Sequence, residues 1–332
     1  MIITRTPFRI SFFGGGTDYP VWYQNHGGVV LSAAINKYCY ISCRYLPPFF
    51  EYTHRIRYTF REETKSIDEI KHPSVRECLR FLDIQKGIEM VHTSDIPARS
   101  GIGSSSAFTV GFLHALYALK GKMCTKRQLA REAINIEQNI IKENVGSQDQ
   151  VAAAFGGLNK IVFGGSELFF VNPVPLHKDK LDYFQDHLLL YYIGMPRTAS
   201  DIAGEQIHNT AQKEGELKNL MALTEEATAI LNHDDFERIS EFGKLLNEAW
   251  KIKKSLSKLI TNESIDQIYS TAISAGATGG KVLGAGGGGC MLFFVPVYNQ
   301  KKVKEALNNL LLIPFRFDTM GTQMVHYATQ DF

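Results

Sequence analysis

The segment Ile96-Pro97-Ala98-Arg99-Ser100-Gly101-Ile102-Gly103-Ser104-Ser105-Ser106-Ala107 decides how the first half of the chain folds. It follows a predicted strand over Ile88–His92 and precedes a predicted helix, whose apolar residues recur from Phe108 to Leu119 at helical spacing. This order brings open backbone N–H groups to the positive end of a helix, which favours an anion. The serines can cap the helix, donate to phosphate oxygens or bind Mg²⁺. The segment therefore predicts a phosphate-binding loop, with a serine cap after an ordinary glycine turn as the alternative.

Glycine is concentrated in two other places. Gly14, Gly15 and Gly16 are consecutive, and eight of the 28 glycines fall within Gly276–Gly289. The second cluster matches the spacing of a dinucleotide-binding loop, which needs a helix after its last glycine. Here the apolar run that begins at Cys290 predicts a strand instead. A dinucleotide site is thereby excluded, and the cluster is either a loop that borders a ligand or a tight turn packed on a neighbour.

Charge and composition exclude several classes of protein. The chain has 332 residues and a formal net charge of +2, which gives no global field for nucleic acid or an anionic membrane. Any anion must therefore be bound locally. The arginines at positions 5 and 9 interrupt the N-terminus, so no secretion signal is predicted, and no apolar run approaches the ~20 residues that span a bilayer. Five scattered cysteines suit buried free thiols, and we predict a cytoplasmic protein.

The strand and helix patterns do not form a regular β-α-β series. Long strands are predicted over Ile2–Phe13 and Val29–Arg44, and a helix over Lys126–Lys142. Residues 200–275 are predicted to be mostly helical. Such a mixture favours α+β domains over a doubly wound parallel sheet. The proline-rich stretch ending at Pro175 marks a boundary, and we predict domains at residues 1–175 and 176–332.

Four charged residues stand out as candidates for a site. Arg9 lies inside an apolar strand, and Asp18 follows the three-glycine turn. A buried arginine requires a carboxylate partner or a cleft, so Arg9 predicts either a structural salt bridge or a site residue. Asp149 begins a predicted helix, where it can act as a cap or as a catalytic carboxylate. Glu137, twelve residues earlier, is a solvated helix residue or part of the same site.

Three motifs together resemble the GHMP small-molecule kinases, a family named for galactokinase, homoserine kinase, mevalonate kinase and phosphomevalonate kinase. The motifs lie in order at Pro7–Tyr19, Pro97–Ala107 and Lys281–Gly289. The resemblance implies an α+β fold of two domains. The N-terminal domain would be ribosomal protein S5 domain 2-like, and the C-terminal domain ferredoxin-like. It also implies ATP and Mg²⁺ as cofactors, a small sugar phosphate as the other partner, and a monomer or homodimer.

The resemblance assigns roles to individual residues. Asp149 would act on the acceptor hydroxyl as base or orienting carboxylate, and Arg9 would promote its ionisation or stabilise the transferred charge. Mg²⁺ would be bound by Ser105 and Glu137. The ATP phosphates would contact Pro97, Arg99, Ser100, Gly101, Ile102, Gly103, Ser104, Ser105 and Ser106. The sugar would contact Gly14, Gly15, Gly16, Thr17, Asp18, Gly286 and Gly287. A distal phosphate would meet Arg197 or Lys281, each of which has a surface or structural role as the alternative.

Motif details bear on the substrate. Galactokinases have Glu-His where this chain has Gly15 and Gly16, which indicates a bulkier sugar than galactose. The first and third motifs look most like those of bacterial heptose phosphate kinases, whose relatives include fucokinase-type sugar-1-kinases. The resemblance thus implies phosphorylation of the anomeric hydroxyl of a heptose 7-phosphate. The alternatives are another sugar-1-kinase and a catalytically silent protein of the same fold that senses ATP and sugar.

Overall fold

The computed structural model describes residues 1–194 and 199–328, and for residues 199–200 the backbone alone. The strands are β1 (Ile2–Phe13), β2 (Gly28–Tyr45), β3 (His54–Arg57), β4 (Arg61–Thr64), β5 (Ile88–Ser94), β6 (Leu158–Phe163), β7 (Phe169–Pro173), β8 (Leu188–Gly194), β9 (Gly279–Val282), β10 (Gly289–Phe294), β11 (Leu311–Ile313) and β12 (Gln323–Tyr327). The helices are α1 (Pro20–His26), α2 (Pro73–Phe81), α3 (Ser104–Leu119), α4 (Lys126–Asn135), α5 (Gln148–Phe155), α6 (Lys178–Asp186), α7 (Ala199–Asn209), α8 (Glu214–Asn232), α9 (Ile239–Leu256), α10 (Glu263–Ser274) and α11 (Gln300–Ala306).

The first sheet is built around the long strand β2. Its order is β12-β1-β2-β5-β3-β4. The second half of β2 pairs with β5, whereas its first half pairs with β6, which in turn pairs with β7. β2 pairs with β1 along most of its length. The pairings are antiparallel apart from β3 with β5. The predicted strands over Ile2–Phe13 and Val29–Arg44 are confirmed, and the sheet is typical of an α+β domain.

The second sheet has the order β11-β8-β10-β9, and its pairings are antiparallel. Helices α7 to α10 lie between its first and second strands in the chain, and α11 between its third and fourth. This is the ferredoxin-like arrangement, as predicted. The last strand, β12, then returns to pair with β1 of the first sheet. The boundary near residue 175 stays a prediction. A single division at that residue would assign β12 to the second unit, although β12 pairs with a strand of the first sheet.

Helix α3 is the central helix of the first unit. Its residues are almost all buried, because it packs on β1 and β2 and is covered by α2, α4 and α5. The predicted apolar face from Phe108 to Leu119 is confirmed as far as Leu116, whereas Leu119 is half-buried, and buried residues also lie on the other faces of the helix. Gly111 allows this close packing, since a Cβ there would lie 2.6 Å from the Thr6 hydroxyl. The helix is therefore fixed firmly, with its N-terminus open at one end of the sheet.

Three further predictions can be checked. The helix expected over Lys126–Lys142 ends as an α-helix at Asn135 and continues as a π-helical segment over Ile136–Ile140. The cysteines are free thiols, and all but the half-buried Cys124 are buried. Within the described residues, no helix is both long and apolar enough to cross a membrane. The cytoplasmic location and the oligomeric state stay predictions.

Candidate active site

A cavity of about 1180 Å³ lies where the two units meet. The first unit contributes the glycine turn after β1, the loop before α3 and the start of α5. The second contributes α7, α9 and the glycine-rich loop after β9. The predicted site residues that line it are Arg9, Gly15, Gly16, Asp18, Pro97, Arg99, Gly101, Gly103, Ser104, Ser105, Ser106, Asp149, Lys281 and Gly286. The three motifs thus converge on one cavity although they are distant in sequence.

Arg9 and Asp149 form a bidentate ion pair in the cavity wall. Nε of Arg9 donates to Oδ1 of Asp149 at 2.7 Å, and Nη2 donates to Oδ2 at 2.7 Å. The remaining nitrogen, Nη1, donates to the Gly101 carbonyl at 2.6 Å. The Arg9 side chain is 4% exposed and that of Asp149 is 24% exposed. Arg9 therefore forms the buried support, and Asp149 presents its carboxylate to the cavity.

The N-terminus of α3 opens beside this pair. Gly103 is the residue before the helix and adopts a left-handed conformation, with φ of 76°. A Cβ at Gly103 would lie 3.3 Å from both Arg9 Cγ and Asp149 Oδ2. No side chain caps the helix and no acidic residue lies in its first turn. Ser104 instead accepts a hydrogen bond from the Arg99 backbone N–H at 3.2 Å. Free N–H groups and the helix dipole thus favour a phosphate next to Asp149.

The third motif supports the second by direct backbone packing. Gly101 and Gly284 face each other, and a Cβ on Gly284 would lie 2.7 Å from Gly101 Cα. A Cβ on Gly289 would lie 2.5 Å from the Ser100 carbonyl oxygen. These glycines also have positive φ angles, which side chains disfavour. The loop after β9 is therefore a tight turn packed on a neighbour, and it also borders the cavity through Gly286.

Asp18 is buried at the bottom of the cavity. Its Oδ1 accepts from the Gly16 N–H at 3.0 Å, and its Oδ2 accepts from Nε2 of Gln148 at 3.0 Å. Burial raises the pKa of Asp18, and the backbone N–H groups of Gly16 and Gln148 oppose that rise. A Cβ on Gly146 would lie 1.9 Å from Oδ2, so only glycine fits there. Asp18 thus connects the glycine turn to the segment that carries Asp149.

Two buried lysines complete the charged wall. Nζ of Lys281 donates to the carbonyl oxygens of Ser11 at 2.7 Å and Phe12 at 3.0 Å, which ties β9 to β1. Lys253 of α9 donates to the carbonyls of Val282 and Gly284. Burial lowers the pKa of Lys281 well below its usual value and that of Lys253 to about 8. Both residues line the cavity, and their amino groups lie near Arg9 and Asp18.

Glu137 lies behind the cavity wall, whereas the predicted metal site requires its carboxylate to face the cavity. It is fully buried in the π-helical segment and is not among the cavity-lining residues. Ser106 donates to its Oε2 at 2.9 Å, as does Gln150, whereas Ser105 is exposed. Its Oε1 is buried without a hydrogen-bond partner, and burial raises its pKa to about 7. Among the described residues no three His, Cys, Asp or Glu side chains cluster as metal ligands.

Several predicted contacts lie behind the cavity wall. Thr17 donates to the carbonyls of Gly14 at 2.8 Å and Val29 at 3.0 Å, so it closes the turn instead of facing a ligand. A Cβ at Gly14 would collide with the same Val29 oxygen. The predicted residues that do not line the cavity are Gly14, Thr17, Ser100, Ile102, Glu137 and Gly287. Apart from Glu137, which lies in the π-helical segment, these residues belong to the glycine-rich loops and pack against neighbouring segments. Arg197 lies outside the described residues.

Sequence reasoning missed the side chains that complete the cavity. Lys253 occupies a position on the buried face of α9 between Trp250 and Leu256, and its place in that apolar pattern was a detectable signal.

An aromatic wall lines another part of the cavity. His72 stacks on Phe108 with ring centroids 4.7 Å apart, and Tyr58 meets His72 edge-on at 4.7 Å. Burial lowers the pKa of His72 to about 4, so this aromatic wall is uncharged at neutral pH. Such contacts between distant segments have no local sequence signal.

Comparison with known proteins identifies the family. The sequence profile of the GHMP kinases N terminal domain matches residues 71–157, and the profile described as GHMP kinases C terminal matches residues 220–311. The two matches take in more than half of the chain, in the order of its two units. The chain belongs to the GHMP kinases, and it is an ATP-dependent phosphotransferase.

Individual relatives extend this result. A D-glycero-alpha-D-manno-heptose 7-phosphate kinase from Campylobacter jejuni is 29% identical over 320 residues, which cover 92% of this chain and 93% of that protein. A bifunctional fucokinase/GDP-fucose pyrophosphorylase from Arabidopsis thaliana is 23% identical over 92% of this chain but only 30% of its own length. The crystal structure of a D-glycero-D-manno-heptose 1-phosphate kinase from Bacteriodes thetaiotaomicron superimposes with a TM-score of 0.77, at 24% identity, covering 99% of this chain and 100% of that chain. The last comparison confirms the two-unit fold.

Proposed function

We propose that this protein transfers the γ-phosphoryl group of ATP to the anomeric hydroxyl of D-glycero-D-manno-heptose 7-phosphate, giving the 1,7-bisphosphate for nucleotide-activated heptose. The observation that carries the proposal is the Arg9–Asp149 pair, held beside the open N-terminus of α3. The sugar is taken from the Campylobacter jejuni relative, which matches nearly the full length of both chains. The glycines at positions 15 and 16 support an acceptor larger than a plain hexose, because they leave that wall of the cavity without side chains.

The nucleotide would lie along α3. Its phosphates would meet the N–H groups of the first turn of α3 and the hydroxyls of Ser104 and Ser105, which line the cavity. The base would lie against the uncharged aromatic wall of Tyr58, His72 and Phe108. Mg²⁺ would be bound at the Ser105 hydroxyl, a hard oxygen atom that lines the cavity, whereas Glu137 lies behind the wall and accepts from Ser106 and Gln150, so it does not fit a metal shared with Ser105. The metal would supply positive charge to the phosphate oxygens.

Asp149 and Arg9 would act on the acceptor. Asp149 orients the hydroxyl and takes its proton as the new O–P bond forms, while the bond from the γ-phosphorus to the bridging oxygen breaks and ADP leaves. The proton moves late, because phosphoryl transfer is loose and depends mostly on positioning and charge stabilisation. Arg9 keeps the carboxylate oriented through two hydrogen bonds and adds positive charge near the transferred group.

The test uses a panel of acceptors and one substitution. With ATP and Mg²⁺, the protein should phosphorylate D-glycero-D-manno-heptose 7-phosphate in preference to L-fucose, D-galactose and unphosphorylated heptose. Preference for an unphosphorylated hexose would contradict the heptose phosphate assignment and favour a fucokinase-like enzyme.

Asp149→Asn should lower kcat by about 10²-fold or more while nucleotide binding, measured by calorimetry, stays within a few-fold of the natural protein. The control is Asp68→Asn, which breaks an exposed Arg–Asp pair outside the cavity and should keep full turnover. Full activity of Asp149→Asn would refute this mechanism. Binding of ATP and sugar without turnover in the natural protein would instead favour the silent sensor.

A further inference from the structure

Two buried polar groups beside Arg9 and Asp149 have no hydrogen-bond partner among the residues that the structure describes. Ser11 follows Arg9 by two residues on β1, so both side chains lie on the same face of the strand. Gln148 directly precedes Asp149 on α5. The Ser11 hydroxyl and the Gln148 side-chain oxygen are both buried without a hydrogen-bond partner. Both residues are more than nine-tenths buried, yet both line the cavity.

The side chains of Ser11 and Gln148 both border the open space beside Gly15. A Cβ placed on Gly15 would lie 3.7 Å from the Ser11 hydroxyl oxygen and 3.6 Å from Nε2 of Gln148, at ordinary contact distance with no clash. That Nε2 already donates to Asp18, which leaves the oxygen of the Gln148 amide for a ligand. Gly15 does not adopt the left-handed backbone of Gly14 and Gly16, so its own conformation does not demand glycine. Glycine at position 15 is therefore explained by the open space that it leaves in the cavity wall, and not by its backbone conformation.

We infer that Ser11 and Gln148 form a receptor for a hydroxyl group of the acceptor, adjacent to the hydroxyl that Asp149 orients, and that Gly15 keeps this receptor open. The inference rests on the proposed function, because it supposes that the acceptor is a polyol such as a sugar. A buried hydroxyl and a buried amide oxygen without partners are unfavourable in the free protein. A ligand hydroxyl can both donate and accept, so it has the chemistry to pair with either group. An acceptor without a hydroxyl at that position leaves both unpaired, which makes Ser11 and Gln148 specificity-determining residues.

The sheet offers a matched control for Ser11. Ser32 lies directly opposite Ser11 in the β1–β2 register, and its hydroxyl is likewise buried without a partner. Ser32 is not among the residues that line the cavity. If the Ser11 hydroxyl served only the packing of the sheet, alanine at either position would have the same effect. If it serves the acceptor, only the change at Ser11 should alter kinetics.

The experiment compares Ser11→Ala, Ser32→Ala and Gly15→Ala with the natural protein, using ATP and D-glycero-D-manno-heptose 7-phosphate. Ser11→Ala should raise the acceptor KM about tenfold, the effect of one hydrogen bond at a buried polar group, and leave the ATP KM within twofold. Its thermal midpoint should not fall, because the change removes an unpaired hydroxyl. Gly15→Ala should raise the acceptor KM by at least as much, since its methyl group occupies the space. Ser32→Ala should keep both KM values within twofold.

The outcomes separate this inference from the proposed function. If the natural protein phosphorylates L-fucose or another sugar instead, the heptose assignment fails and the same variants are compared with that sugar. An acceptor KM that Ser11→Ala leaves within twofold, or that Ser32→Ala raises equally, overturns the inference whichever sugar is the substrate.

Discussion

At the residue scale, Lys253 shows how the second unit places a charge in the cavity. It lies on the buried face of α9 and donates to two carbonyl groups of the β9 strand and the following loop. Burial and, to a smaller extent, the nearby Arg9 lower its pKa from 10.5 to about 8, while Asp18 and Asp149 act in the opposite direction. Its ammonium group is therefore present at neutral pH but costs free energy of folding there. Its retention in the wall suits a site that binds phosphate groups.

Replacement of Lys253 by methionine should change the pH dependence of stability. In the folded protein the side chain loses its proton near pH 8, and in the unfolded chain near pH 10.5. Between these values the unfolded chain binds more protons, so the free energy of unfolding of the natural protein should rise with pH relative to Lys253→Met. From pH 7 to pH 10 the difference should grow by about 2–3 kcal/mol, measured by urea denaturation.

The control, Lys254→Met, removes a partly exposed lysine that pairs with Asp266, and its curve should run parallel to that of the natural protein. Parallel curves for Lys253→Met would contradict the buried charge.

Individual residues also show which parts of the site could be predicted from the sequence. Arg9, Asp18 and Asp149 were detectable because each is a charged residue in an apolar or glycine-rich setting. The structure brings all three to one cavity, and their roles stay predictions. Ser105 and Glu137 were paired through family spacing, but the side chain that donates to Glu137 is that of Ser106. One position along a helix turns a side chain by about 100°, so spacing alone does not decide which of adjacent serines faces a given neighbour.

At the scale of elements, the loop before α3 depends on the loop after β9. Their backbones are in contact at Gly101, where a Cβ would lie 2.5 Å from the Leu283 carbonyl oxygen. Gly101→Ala should therefore push the two loops apart, weaken ATP binding at least tenfold and lower the free energy of unfolding by about 2 kcal/mol or more. Calorimetry with ATP and chemical denaturation measure the two effects.

Gly121→Ala is the matched control for this change. Gly121 has a similar positive φ, 64° against 76° for Gly101, but no atom of the described part of the chain lies within 4 Å of a Cβ there. It should show only the backbone strain, about 1 kcal/mol, with ATP binding unchanged. Equal losses in the two variants would mean that the left-handed conformation, and not the contact between loops, limits position 101.

Long elements with a regular pattern could be predicted, and short ones could not. β1, β2 and α3 have clear periodicity over many residues, and the predictions for them are confirmed. The short helix α6, just after the predicted boundary at Pro175, has no clear pattern, yet its Lys180 is buried and donates to the Leu231 carbonyl at 2.6 Å. A contact with α8, fifty residues away, makes this helix favourable. The return of β12 to β1 is equally non-local, since an exposed five-residue strand has little pattern of its own.

At the scale of the whole molecule, β1, the strand that carries Arg9, is held by both units. Phe12 and Phe13 of β1 pack against Phe242 of α9, with ring centroids 5.5 and 5.1 Å apart, and Phe184 of α6 lies 4.8 Å from Phe242. Lys281 adds hydrogen bonds from β9 to the same strand. The contact surface between the units is thus continuous with the hydrophobic core and begins three residues after Arg9. The two units should consequently unfold together, although each has its own sheet.

Phe242→Ala tests this coupling. Loss of a fully buried aromatic ring should lower the free energy of unfolding by about 3–5 kcal/mol. Because Phe242 contacts residues from both units, differential scanning calorimetry should still record one transition, at a lower temperature, with loss of activity along the same curve. Phe49→Ala removes a ring that is 83% exposed and should leave the transition where it is. If Phe242→Ala instead divides the transition into two, of which only one moves, the units fold independently and the position of Arg9 depends on the first sheet alone.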